Sequence, residues 1–299
     1  MMRFHVAIAA MAAAAALLPA VVFSQASPVR PRTLPGFTYT VHISSTPTTH
    51  GSATMPSSVA AVDFTGSAVV AGGRGRLDIV AGGAEGMFEK GDYLLFDSLD
   101  VVIVHPATRE FVPVPRNFSS GSMDQMQAMG VKATVSDEKV VLDSLGAADT
   151  IAGVPTRRYR MTVAFNMAMD GGLVQQRIGT ESVTDYWVAV IPGMPSNPLL
   201  RVNGLAGGGV AGMFRVLTAR VDSAAARMGQ AIALKTRATT HMLLGPGATM
   251  ETQQASDVSA LKRGPVDESL LMLPAGYKIS AASEMTSDAA EKWRRPPTD

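Results

Sequence analysis

Four histidines lie beyond residue 26, at positions 42, 50, 105 and 241, and no two have the i, i+4 spacing that sets a pair of ligands on one helix face. A zinc-type site would need His42, His105 and His241 to converge through the fold, and strand-face or solvated imidazoles are the simpler reading. Asp97 with Asp100, and Asp137 with Glu138, are carboxylate pairs of the kind glycosidases use. Both pairs stand in stretches that read as hairpin turns, where acids are common for conformational reasons. Gly207, Gly209 and Gly212 follow a dinucleotide-type glycine spacing, but Asp222 comes too early for the ribose-binding acid and no βαβ pattern surrounds them. Glycine-mediated close packing of a helix, or a hinge, explains them better. A G-x-S-x-G nucleophile elbow is absent. The thioethers of Met123, Met126 and Met129 could bind Cu(I) in an exported protein. With no cysteine or histidine beside them, packing or contact with a greasy ligand is the better use of these methionines. The expectation is a protein without catalytic residues, resident metal or cofactor.

The amino terminus directs the location. Arg3 precedes an uncharged apolar run from Val6 to Phe23, and Ser24 and Ala26 supply the small residues of a signal-peptidase site. Residues 1–26 are read as a cleaved secretory signal, with a mature chain starting near Ser27 in the periplasm or outside the cell. The sequence has 0 cysteines, which removes both a lipid-anchor site and any disulfide framework. Taking Arg3 from the 26 basic residues leaves 25 against 25 acidic ones, so the mature chain is neutral and has no field to attract nucleic acid. Charged residues make up only 17 % of the chain, leaving much neutral surface to be placed, and a lined cavity is one way to place it.

The elements that would carry such a cavity read mostly as strands. From Arg157 to Met169, Tyr159, Met161, Val163, Phe165 and Met167 fall on one face, while Arg158, Arg160, Thr162, Ala164 and Asn166 fall on the other. That is the period of a strand with one buried side. Phe37 to Ile43 alternates in the same way, followed by a Ser/Thr-rich stretch, Ser45 to Ser58, read as a loop. Val59 to Val80 has strand composition, and Gly72, Gly73 and Gly75 within it suggest a bend or bulge. Gly91 to Pro115 predicts two hairpin turns, and Ser122 to Gly130 a short capped helix with a methionine face. Gln175 to Val190 pairs back on the long strand. Met213, Leu217, Val221, Ala224 and Met228 define one face of an amphipathic helix, and Ala231 to Lys262 folds as a hairpin around Gly245, Pro246 and Gly247. The fold class expected is mainly β (α+β). A curved antiparallel sheet would form an incomplete barrel covered by one or two helices. Residues 27–283 would make one half-barrel-like domain with a helical insertion near 198–228, and residues 284–299 a polar, frayed tail.

The order GDYLLFDS, VVIVHPATREFVPVP, AGVPTRRYRMTV, YWVA and KRGPVDESLLMLPAGYK resembles an uncharacterised family of exported bacterial proteins, a domain of unknown function. That family is distantly similar to the LolA-like periplasmic lipoprotein carriers. The resemblance implies a strongly curved antiparallel sheet whose hollow is covered by helices. With the residue reading, it gives the functional expectation of a non-enzymatic binding or carrier protein for a lipid, acyl chain or other apolar ligand. Tyr159, Met161, Val163, Phe165, Met167, Met123, Met126 and Met129 would line the site. The same strand face packed directly on helices as ordinary core is the competing reading. An envelope structural or protein-interaction module without a small ligand is the alternative function. The partners implied are therefore an apolar ligand or an envelope protein, with neither nucleic acid nor a membrane anchor after processing.

Overall fold

The computed structural model describes residues 32–51, 61–84, 87–97, 100–114, 132–171, 175–194, 215–229, 231–280 and 287–296. All of them belong to the unit Pro31–Asp299. Among the described residues twelve strands make one open, curved sheet. In chain order they are β1 (Thr33–Gly51), β2 (Val62–Ala71), β3 (Arg74–Ala84), β4 (Tyr93–Asp97), β5 (Val101–His105), β6 (Glu110–Val114), β7 (Lys132–Ile151), β8 (Val154–Asp170), β9 (Gln175–Ala189), β10 (Ile232–Gly245), β11 (Ala248–Asp267) and β12 (Lys278–Ile279). The spatial order is β12-β6-β5-β4-β3-β2-β1-β11-β10-β9-β8-β7. Every neighbouring pair is antiparallel except the two-residue β12 beside β6. Among the described residues two α-helices accompany the sheet, α1 (Arg215–Ala226) and α2 (Ser287–Arg294). The expected mainly-β fold with an unclosed sheet is what the chain adopts.

Local chemistry explains the hairpins. Gly72 and Gly73 have φ of 52° and 72°, and Ala152 and Gly153 have 50° and 80°, so each pair supplies the positive φ values that a tight turn between twisted strands requires. Gly72 and Gly73 therefore separate β2 from β3, rather than bending a single strand as the composition suggests. The β1–β11 pairing is the long-range closure that joins the two halves of the sheet. It also corrects the reading of Ser45 to Ser58 as a loop: Ser45 to Gly51 continues β1, in register from Ser45↔Gln254 to Gly51↔Ala248. Threonine is a good strand former once a partner strand is present, and that partner is some 200 residues away in the chain. Residues 52–58 lie outside the described residues. Asp137 and Glu138 do not sit in a hairpin turn either; they form an irregularity inside β7, with Asp137 at φ 56°.

The two faces of the sheet bury different cores. On one face, Leu142, Met161, Val163, Phe165 and Met167 pack with Tyr186 and Val188 beneath Leu217, Val221, Ala224 and Met228 of the α1 segment. The same face continues into Phe37, Tyr39, Val41, Phe64, Leu77, Leu94 and Phe96 at the other half of the sheet. On the opposite face, Tyr93, Leu95, Val102, Val104 and Phe111 pack against Leu273 and Trp293. Trp293 lies in α2 and is only 1 % exposed. The segment read as a frayed tail thus contains a docked helix over Ser287–Arg294. One large aromatic buries enough apolar area to hold an otherwise polar segment. Lys292 bridges Asp97 and Asp100 at the β4–β5 turn, and Arg74 donates to the carbonyl oxygens of Lys292 and Arg295 at the end of α2. The helices therefore lie on opposite faces, and among the described residues α1 alone covers the methionine-rich side.

Candidate functional site

Cross-strand register defines the α1 face as a grid running from β8 to β11. Tyr159 is opposite Tyr186, Met161 opposite Thr184, Val163 opposite Ser182, Phe165 opposite Thr180, and Met167 opposite Ile178. On β10 the next positions are Thr236 beside Tyr186, Ala238 beside Thr184, Thr240 beside Ser182 and Met242 beside Thr180. Ser256, Gln254, Thr252 and Met250 of β11 complete the rows. Side chains on one face of a sheet are spaced by about 5 Å across strands, so neighbours in these rows touch.

Met161, Val163, Phe165 and Met167 are 2–8 % exposed, and Tyr159 is half-buried at the margin of their cluster. The structure thus brings five of the expected lining residues together on one strand face under α1. In the described arrangement they are packed as core. Met123, Met126 and Met129 lie outside the described residues, as does Met213. Helix α1 presents Leu217, Val221 and Ala224 downward, while Arg220 reaches Glu138 of β7 at 3.2 Å. Beside it a depression of about 250 Å³ opens to solvent between Val140, Arg220, Ser223, Ala224 and Arg227.

Immediately next to the apolar patch is a polar band that sequence reasoning missed. Thr180, Thr184, Thr236 and Ser256 are each less than a tenth exposed. The Thr236 and Ser256 hydroxyls are 2.8 Å apart, and Thr240 donates to Ser182 at 2.9 Å. Thr180 Oγ1 is buried without a hydrogen-bond partner among the described residues. Burial pushes the Tyr186 phenol up to about 12, with a side-chain hydrogen bond from Thr184 pulling it the other way. Threonine and serine occur on both faces of this sheet, so their types alone carried no signal for the band.

The reverse face is charged. Asp143, Arg160, Asp185 and Arg237 are successive cross-strand neighbours on β7 to β10, and Arg237 also grips Asp257 of β11 with contacts of 2.8 and 2.7 Å. Trp187 is sandwiched between Arg158 at 4.7 Å and Lys235 at 4.9 Å. Elsewhere, His105 Nδ1 lies 2.9 Å from Asp92 Oδ2, which also accepts from the Glu89 N–H. Among the described residues no nucleophile is hydrogen-bonded to the His105 ring. His42 pairs with Asp63 and His241 with Glu251. The three histidines occupy separate sites, and no group of three His, Cys, Asp or Glu residues suited to a metal occurs among the described residues. Nor is any described helix long and apolar enough to cross a membrane.

No family model and no curated protein matches the chain. Among solved structures it is similar to an uncharacterised conserved protein from Thermus thermophilus, at 9 % identity and a TM-score of 0.29, over 82 % of this chain and 89 % of that one.

Proposed function

We propose that the protein is a non-enzymatic periplasmic or secreted binding or carrier protein for an apolar ligand such as a lipid or acyl chain. The ligand would be taken up on the α1 face of β8–β10, with α1 as its cover. The observation that carries this reading is the composition of the face: Met161, Phe165 and Met167 sit directly beside buried hydroxyls, beneath a single 12-residue helix. Thioethers and aromatics adapt to varied apolar shapes, and an ordinary core has little use for a row of buried hydroxyls. Among the described residues α1 alone lies over this apolar floor, and it shares no ladder hydrogen bond with the sheet.

The alternative of an interaction module using strand addition fits the sheet less well. The terminal strand β7 has register irregularities between Ser136 and Lys139, Ser144 and Gly146, and Ala148 and Thr150. Such breaks blunt an edge against pairing with another strand.

Titration of delipidated protein with a fluorescent fatty acid tests the proposal, with saturable binding as the expected result. Phe165→Ala keeps the floor apolar but enlarges it, and should change ligand affinity. Phe165→Asp places an unpaired carboxylate in the cluster and should abolish apolar-ligand binding in a protein that still folds; a variant that simply unfolds would mark the face as filled core. A parent protein that binds no apolar probe would end the carrier reading.

A further inference from the structure

The hydroxyl band has a chemistry of its own, and what it selects follows from what is missing around it. Along β9 the α1-face positions are Ile178, Thr180, Ser182, Thr184 and Tyr186; along β10 they run from Thr236 to Leu244 through Ala238, Thr240 and Met242. On β11 they are Met250, Thr252, Gln254 and Ser256. None of these side chains is charged at neutral pH. The alternate positions of the same strands, Glu181, Asp185, Lys235, Arg237, His241, Glu251 and Asp257, put every charge of this region on the other face. The segregation holds over the rows from Ile178 to Tyr186, Thr236 to Leu244 and Met250 to Ser256.

Two hydroxyl pairs in the band are internally satisfied, Thr236 with Ser256 and Thr240 with Ser182. Thr180 is not. It is 6 % exposed, its Oγ1 has no hydrogen-bond partner among the described residues, and by register it faces the same side as Phe165 and Met242. A buried orphan hydroxyl is destabilising unless something bonds to it. An apolar chain alone, lying over Phe165 and Met167, leaves that hydroxyl unbonded. A carboxylate or phosphate would bond to it, but among the described residues no cationic side chain of β9, β10 or β11 shares its rows of the band to compensate the buried charge.

We infer that the hydroxyl band of β9–β11, with Thr180 as its free donor, recognises an uncharged, oxygen-bearing group attached to an acyl chain: the ligand class is a neutral acyl ester of the glyceride type. The proposal rests on the carrier reading and specifies its ligand. The spacing fits, because the band begins one strand, about 5 Å, from the Met161–Met167 patch. An ester oxygen lies directly at the head of its acyl chain. The ester carbonyl accepts from Thr180, and neighbouring hydroxyls of the band exchange hydrogen bonds with glycerol oxygens.

The test compares monolaurin, methyl laurate and laurate as ligands of the delipidated full-length mature chain at about pH 8, where laurate is ionised. Isothermal titration is run below the concentration at which each ligand aggregates. Both esters are expected to bind at least about tenfold more tightly than laurate. Thr180→Val removes the free donor while keeping the shape; it should weaken monolaurin about fivefold and not lower the melting temperature. Laurate binding as tightly as the esters, or Thr180→Val binding monolaurin like the parent, overturns the ester assignment while leaving the carrier reading standing. Saturable binding of none of the three overturns both. The parent comparison decides the matter even if Thr180→Val does not fold.

Discussion

Arg160 and Asp185 face each other across β8 and β9 through two parallel hydrogen bonds, Nε to Oδ1 at 2.8 Å and Nη2 to Oδ2 at 2.9 Å. Arg158 reaches the same carboxylate from two residues away, and its guanidinium lies over the Trp187 ring. The carboxylate thereby fixes both arginines of β8 on the charged face and, with them, the register that turns Met161, Val163, Phe165 and Met167 toward α1. A one-residue slip would exchange the two faces.

The Arg160 hydrogen bonds hold the Asp185 carboxyl below its usual range; burial opposes them, and Arg158 adds to them. A depressed carboxylate contributes stability that is fully present above the unfolded value, about pH 4, and is lost as pH falls through the folded value. Asp185→Asn should lower unfolding free energy at neutral pH by about 1–2 kcal/mol. The difference from the parent should shrink on acidification below about pH 4. Urea titrations at a series of pH values measure it; a pH-independent difference would remove the ionised pair from the explanation.

At the other end of the sheet, α2 should behave as a structural element. Trp293→Ala is expected to cost about 3–4 kcal/mol, because it opens the cluster of Tyr93, Leu95, Val102 and Phe111. Lys292→Met should cost less, since it removes the bridge to Asp97 and Asp100 and the ammonium contact with the Trp293 ring but leaves the cluster filled. Thermal melts of the two variants would show the order, and a Trp293→Ala protein as stable as the parent would contradict the docked helix.

Gly36 is a position where close approach of the chain permits no side chain. A Cβ there would lie 2.3 Å from the Val70 carbonyl oxygen and 2.8 Å from Val266 Cγ2. Backbone oxygen cannot rotate aside as a side-chain tip can, so Gly36→Ala should destabilise by about 1–3 kcal/mol. Chemical denaturation provides the check.

Much of the fold is legible in the sequence, for a physical reason that also marks where legibility stops. The alternation from Tyr159 to Met167 has opposite polarity on its two faces, and burial of one side follows from that contrast alone. Leu217, Val221, Ala224 and Met228 carry the helical equivalent. Ser45 to Gly51 has no such contrast, and its strand exists because β11 pairs with it from far along the chain. Thr180, Thr184, Thr236 and Ser256 are invisible as a group for the same reason: each comes from a hydroxyl-rich strand, and only the register of β9, β10 and β11 sets them in one band. Trp293 is lost among charged neighbours, where a single apolar residue creates no period.

If α1 covers the ligand, its exchange behaviour should report occupancy. Backbone amides of Arg215–Ala226 are expected to exchange faster than those of β8 and β9, which are hydrogen-bonded within the sheet on both sides. Monolaurin should slow α1 exchange selectively. Hydrogen–deuterium exchange with and without ligand tests this, and unchanged protection at saturating ligand would place the ligand elsewhere.

The central claim is that an apolar ligand occupies the α1 face, and the most direct measurement is to find that ligand. Protein purified without detergent from cells that export it is extracted with organic solvent, and the extract is analysed by mass spectrometry beside an extract of the Phe165→Asp variant. An acyl lipid approaching one molecule per parent chain, absent from the variant, is the expected result. Parent protein that yields no lipid above the variant, and that takes up none when delipidated and re-exposed to envelope lipids, would contradict it.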